Sequence, residues 1–166
     1  MNVADILELY DYNRWATTRA FGIAATLTEE QLRKPTAASY ESVLGTLAHL
    51  SWSEWIWLTR WTPDVTTSDP RASRNLAELQ TFRAAFELEQ RQFLSRLRDA
   101  DLGRKVSYQN PPGTTWSYSL QHMLQHVVNH STYHRGQLTT LFREVGVAPL
   151  PLDFLVYFDE LAGSGD

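Results

Sequence analysis

The sequence predicts an all-α protein, a four-helix bundle with a short irregular or hairpin-like excursion before the fourth long helix. Three observations carry that expectation. Apolar residues recur at helical intervals over four long stretches, and proline and glycine concentrate between those stretches. No convincing pair of alternating strands stands anywhere in the chain. The length of 166 residues suits one hydrophobic core rather than two, so residues 1–166 are expected to form a single domain.

The first helix is read from Val3 to Leu27, with Ile6, Leu7, Tyr10, Trp15, Phe21 and Ile23 as its apolar residues. Thr28-Glu29-Glu30-Gln31 has the form of a capped short helical turn, ended by Pro35. The second long helix runs from about Ser42 to Trp61. Its apolar residues, Val43, Leu44, Leu47, Leu50 and a tryptophan-rich end, occupy almost every side, as in a helix with neighbours on several faces. Thr62 to Arg74 is polar and proline-containing, hence a connecting loop. The third helix should run from Asn75 to Asp99, with Leu76, Leu79, Phe82, Phe86, Phe93, Leu94 and Leu97 as the inner stripe. Leu102 to Trp116 contains Gly103, Pro111, Pro112 and Gly113 around Val106-Ser107-Tyr108, which gives the excursion. Ser117 or Ser119 then caps the fourth helix, which stops near Gly146. The apolar tail from Pro149 to Glu160 should pack back on the body, and only Gly163 onward is expected to be free.

Composition removes several function classes. The chain has no cysteine, which excludes disulfides, thiolate ligands and a cysteine nucleophile, so a metal would need nitrogen or oxygen donors. The net charge of −4 comes with scattered basic residues, and nucleic acid is not expected as a partner. Asp5, Glu8 and Asp11 interrupt the start where a signal peptide needs a basic and then an apolar run, which makes the cytoplasm the expected location. No apolar run long enough to span a bilayer is present, so no membrane partner is expected.

The histidines carry the functional reading. His122, His126, His130 and His134 recur every four residues on the fourth helix, and His49 is the remaining one of five. An interval of four overshoots one turn by about 40° and climbs about 6 Å, so adjacent members of this stripe can share an ion. Members eight apart, about 12 Å along the axis, cannot. One adjacent pair and a third donor from elsewhere is therefore the expected ligand set, with His49 the only other imidazole. Spacing alone leaves the pairs 122/126, 126/130 and 130/134 equivalent. Three neutral imidazoles suit zinc, nickel, iron or manganese and leave a coordination position open to water or substrate.

The words around the last pair narrow the choice. His130-Ser131-Thr132-Tyr133-His134-Arg135-Gly136-Gln137 resembles the HxxxH-R-G-Q segment of the DinB/YfiT-like metalloenzymes. Leu47-Ala48-His49-Leu50 resembles that family's helix-2 histidine, Tyr12-Asn13-Arg14-Trp15-Ala16 its beginning, and Pro151-Leu152-Asp153 its end. The resemblance spans nearly the whole chain. It implies a four-helix bundle of that type binding one divalent metal, zinc or nickel first, through His49, His130 and His134. It also implies a homodimer and, more weakly, a thiol S-transferase or hydrolase acting on a small molecule, with a low-molecular-weight thiol as partner. The rivals are a metal-binding stress-response protein without turnover and a helical dimerisation module whose histidines only pack.

Other residues have two readings each. Arg135 could meet an anionic substrate or make a structural ion pair. Gln137 and Asn129 could orient the ligands or bond between helices. Gly136 is read as allowing close helix approach. Trp52, Trp55, Trp57 and Trp61 are read as core and dimer interface, with Trp52 the best candidate for a substrate pocket because it follows His49 by three residues. Glu54 could act as a general base, although a solvated or salt-bridged carboxylate is the simpler reading.

Overall fold

The computed structural model describes residues 1–110 and 113–163; Pro111 and Pro112 of the expected excursion, and the tail beyond Gly163, lie outside the described residues. The chain is mostly helical with one small two-stranded sheet. In order the elements are α1 (Val3–Ala24), α2 (Glu29–Arg33), α3 (Val43–Trp61), α4 (Leu76–Ser95), α5 (Asp99–Leu102), β1 (Lys105–Asn110), β2 (Thr114–Ser119), α6 (Leu120–Glu144) and α7 (Phe154–Gly163). A single 3-10 turn, Pro70–Ala72, interrupts the loop between α3 and α4.

Side-chain caps explain where the long helices begin. Asn2 and Asp5 form a reciprocal capping box on α1, and Thr28 with Gln31 forms one on α2. Ser42, Asn75 and Ser119 each accept a backbone N–H of the first turn of α3, α4 and α6. At its far end α6 closes on Gly146, whose φ of 86° permits the reversal. Val147 N–H then reaches the carbonyl of Phe142, and Gly146 N–H that of Arg143.

The expected end of the third helix and the expected absence of a strand pair need correction. The third long helix does not continue to Asp99: it ends at Ser95, and Asp99–Leu102 forms a separate short helix. Asp101 accepts the N–H of Arg98 and Asp99 accepts that of Val3, so these carboxylates favour a new helix start over continuation of the old one. The excursion takes the hairpin-like of its two expected forms and supplies a strand pair, antiparallel, with Val106 opposite Tyr118 and Tyr108 opposite Trp116. Its strands are mostly exposed, which leaves little apolar alternation in the sequence to announce it.

The four long helices pack on one another, α6 against α3 and α1, and α3 against α4. Two apolar clusters fill the space between them. One gathers Ile6, Tyr10, Leu58, Phe86, Leu120 and Leu124, the other Phe21, Leu47, Leu79, Leu138 and Phe142. The tail packs back as expected: Tyr12 meets Phe154 edge-on at 4.9 Å, and its hydroxyl donates to the Leu152 carbonyl. Among the described residues, no helix is long and apolar enough to cross a membrane.

Candidate metal centre

Helices α3 and α6 run antiparallel, and the interval of four recurs on both. His49 faces His134, Ser53 faces His130 and Trp57 faces His126. Each step of four climbs about 6 Å on either helix, so the facing pairs stay in register along the seam. This register brings His49, His130 and His134 together. Each offers one ring nitrogen, and these nitrogens all lie within 4.8 Å of one another.

The rings are held in place by their neighbours. Nδ1 of His134 lies 2.7 Å from Oε1 of Gln137, and with that oxygen as acceptor Nδ1 carries the proton and Nε2 a lone pair. Ser53 Oγ lies 3.1 Å from Nδ1 of His130 and can accept its N–H in the same way. Nε2 of His130 and Nε2 of His134 then face each other at 3.2 Å. His49 is held differently. Tyr40 stacks on its ring with centroids 3.7 Å apart and planes 14° from parallel, and its Nε2 is buried without a hydrogen-bond partner among the described residues.

The position of Tyr40 follows from the turn before α3. Glu41 sits at φ 62°, a costly conformation for a residue with a side chain. The Tyr40 carbonyl accepts Ser42 N–H at 2.7 Å and lies over Gly45, where an added Cβ would come within 2.2 Å of that oxygen. Gly45 is thus the residue that lets this turn close onto the helix.

Electrostatics favour neutral imidazoles. Burial, and then the neighbouring His134 and His130, push His49 down to about 4. His130 is likewise pushed down to about 4 by burial, His134 and His126, against an opposing pull from Glu54. Burial lowers His134 as well, with the Gln137 hydrogen bond opposing it. At neutral pH the three rings therefore present lone pairs rather than protons.

Beneath the histidines lies a buried polar network. The Glu54 carboxylate accepts from Asn13 Nδ2 at 3.0 Å, Ser131 Oγ at 3.2 Å and Gln90 Nε2 at 3.3 Å, and Arg83 Nη1 lies 3.3 Å from it. Arg135 bonds Asn13 and, at 3.1 and 2.9 Å, Thr17 and Thr132. Glu54 is 1% exposed and Arg135 2%, so both tie helices together. The salt-bridged reading of Glu54 holds, and the bonds of Arg135 go to α1 and its own helix. Gln137 does orient a histidine, whereas Asn129 is exposed. Gly136 is also exposed, and a Cβ there would meet nothing within 4 Å, so close helix approach does not explain it.

Of Trp52, Trp55, Trp57 and Trp61, Trp61 alone is buried and the other three are half-buried. Trp52 stands 5.7 Å from His49, ring to ring. Sequence reasoning missed Tyr40 and Ser53, which lie in no motif of their own; the interval of four from His49 to Ser53 was the available signal. His126 and His122 lie further along the seam. His126 is 5.6 Å from His130 between ring centroids and is outside the three-nitrogen group.

Comparison with known proteins places this architecture. The profile of the DinB family matches residues 1–162. The chain belongs to the DinB family. Protein DinB of Bacillus subtilis (strain 168) is 29% identical, with 90% of this chain and 91% of that protein covered. The uncharacterized protein YizA of the same organism is 24% identical over 90% of this chain and 94% of its own. A crystal structure of a DinB-like protein from Bacillus cereus ATCC 10987 superposes with a TM-score of 0.66 at 20% identity, covering 90% of this chain and 97% of that one. The fold is therefore DinB-like, and the histidine group sits within a family fold, α3 facing α6.

Proposed function

We propose that this DinB-family protein holds one divalent metal ion on His49, His130 and His134 and uses it to act on a small molecule, as a thiol S-transferase or a hydrolase. The observation that carries the reading is the pair of Nε2 atoms 3.2 Å apart beside the unpartnered Nε2 of His49. Two nitrogens bound about 2.0–2.1 Å from one ion lie about 2.9 Å apart at a right angle and about 3.4 Å apart at the tetrahedral angle. The separation falls between those limits. A buried polar atom without a partner is costly, and a shared cation would satisfy all three nitrogens together.

Three protein donors leave room for a further ligand. A divalent ion so held lowers the pKa of a coordinated thiol or water and polarises a substrate oxygen. The chain's own residues supply the rest. Gln137 and Ser53 keep two imidazoles aimed, Tyr40 fixes the plane of the third, and the low proton affinity of His49 and His130 keeps them available as donors. An all-nitrogen donor set suits zinc or nickel, and admits iron or manganese.

Metal analysis of the purified chain, with and without chelation and reloading, is the first test. One ion per chain is expected, lost in H49A, H130A and H134A. Conjugation of low-molecular-weight thiols to electrophiles, and hydrolysis of small esters and amides, should then depend on the ion and on His130. A chain that takes up none of the four metals refutes the metal reading. A loaded chain equal in rate to H130A refutes the enzymatic one.

A further inference from the structure

The metal reading uses only two of the four histidines in the α6 stripe. The other two, His122 and His126, line a cavity of about 460 Å³ together with Trp57, Tyr108, Tyr118 and Met123. It lies between α3, the hairpin and α6, and its volume falls in the range of small-molecule sites, about 300–1,000 Å³.

The walls are aromatic. Trp57 meets Tyr108 edge-on at 5.1 Å and His126 edge-on at 5.1 Å. Arg60, which is not one of the lining residues, stacks 4.5 Å from the Trp57 centroid and 4.1 Å from that of Tyr108. Its Nη2 is tied to Asn110 at 3.0 Å, so these two rings are braced. Met123 adds a thioether, a favourable neighbour for a ring edge. The polar groups of the lining are the two imidazoles, the Tyr108 and Tyr118 hydroxyls and the Trp57 N–H, and no hydrogen bond to either imidazole is found among the described residues. Burial and Arg60 hold His126 below its ordinary value.

Position along the seam gives the cavity its direction. His126 lines it and also stands one turn, about 6 Å along the helix, from His130. An object seated among the rings thus has two strongly polar neighbours, the Arg60 guanidinium behind Trp57 and Tyr108 and, one turn beyond His126, the histidine group, and only the second responds to a bound ion.

We propose that this cavity binds the aryl group of a small molecule and directs an anionic substituent of that molecule toward His130 and the histidine group. The aryl site stands on the cavity alone. The direction of the substituent rests on the metal reading given above.

The test uses the full chain, zinc-loaded or chelated, with 2-naphthoate and the neutral 2-naphthamide as probes and calorimetry or saturation-transfer NMR as readout. Both probes should bind the chelated protein once per chain. Zinc should tighten naphthoate at least about 5-fold through direct coordination and leave naphthamide unchanged. Tyr118 is 39% exposed and outside the apolar clusters, so Y118A should fold and weaken both probes about 5- to 10-fold. H122W, which fills the cavity from an exposed position, should do at least as much. L88A, at an exposed position of α4, should change neither.

Failure of both probes to saturate, or equal affinity in wild type, Y118A and H122W, overturns the aryl site. Zinc uptake without tightening of naphthoate overturns the stated direction. Absence of zinc uptake is a separate result: it removes the metal reading and with it the direction, while probe binding to the chelated chain still decides the aryl site.

Discussion

Replacing Glu54 by glutamine tests whether the carboxylate beneath the histidines is a structural hub. One oxygen accepts Asn13 and Ser131, and the other accepts Gln90 and faces Arg83. In E54Q one of these pairs of donors meets an amide NH2 instead of an oxygen. Removing one partner of a buried ion pair costs about 3–5 kcal/mol. Arg83 keeps Glu87 at 2.9 Å, a carboxylate with side-chain exposure of 25%, so the lower end, about 3 kcal/mol, is expected. For a domain of this size that corresponds to a fall in Tm of about 6–12 °C. Urea unfolding followed by far-UV circular dichroism should show the same loss with an unchanged m-value. E54Q/R83M should lose less than the sum of its single variants, because the second change removes the charge that the first left uncompensated. Metal content per folded chain should not change. A loss below about 1 kcal/mol, or full stability with loss of metal, would refute the structural role and return Glu54 to the site chemistry.

Q137L removes the acceptor that orients His134 and should weaken metal affinity about 10- to 100-fold, measured by competition with a chelating dye, with little change in Tm of the chelated protein. Y40F keeps the ring stacked on His49 and should bind metal as wild type, whereas Y40A should weaken it; equal affinities would show that the stack does not position His49. G45A puts a methyl group into the Tyr40 carbonyl, and a destabilisation of about 2 kcal/mol or more is expected in thermal unfolding. Burial raises the Glu89 carboxyl, but hydrogen bonds from the backbone and hydroxyls of Thr66 and Thr67 outweigh it and hold the group below its ordinary value. The stability it lends the loop is thus present above the unfolded carboxyl pKa and lost as pH falls through the lower folded value. Amide exchange at Thr66 and Thr67, corrected for intrinsic rate, should rise over that window and should be pH-insensitive in E89Q.

The long helices were legible because each joins an apolar stripe to a cap at its start. The sequence starts the second long helix at about Ser42 and caps the fourth with Ser117 or Ser119, and in the structure Ser42 and Ser119 act as caps. What escaped depends on exchange between local and tertiary bonding. Nothing in the apolar period after Ser95 signals the break, which is set by Asp99 reaching the first turn of α1. The hairpin has too few buried positions to alternate visibly. At the site, the choice among equivalent histidine pairs came from a family resemblance, and the structure groups that same pair with His49. Tyr40 could not be read because its role depends on a turn closed by Glu41 and Gly45. The Tyr12-Asn13 segment was recognisable as a motif, yet its meaning, Asn13 joining Glu54 to Arg135, needs three helices in place.

Drift of the stripe explains why four equally spaced histidines divide into two pairs. Each interval of four turns the helix by about 40° beyond a full rotation, so His122 and His134 differ by about 120° in direction. A single partner helix can therefore face only part of the stripe squarely. The seam with α3 supplies His49 and Ser53 to the later pair and Trp57 to His126, and the hairpin supplies Tyr108 and Tyr118 on the side toward which the stripe has drifted. One half of the stripe is thus surrounded by imidazoles with lone pairs and the other by aromatic rings. Shifting α3 by one residue against α6 would rotate His49 by about 100° and separate it from the pair, and would turn Glu54, on the same helix, away from its partners. The histidine group and the Glu54 network thus report the same helix register, and a register-shifting insertion in the loop before α3 should abolish metal uptake and lower Tm together.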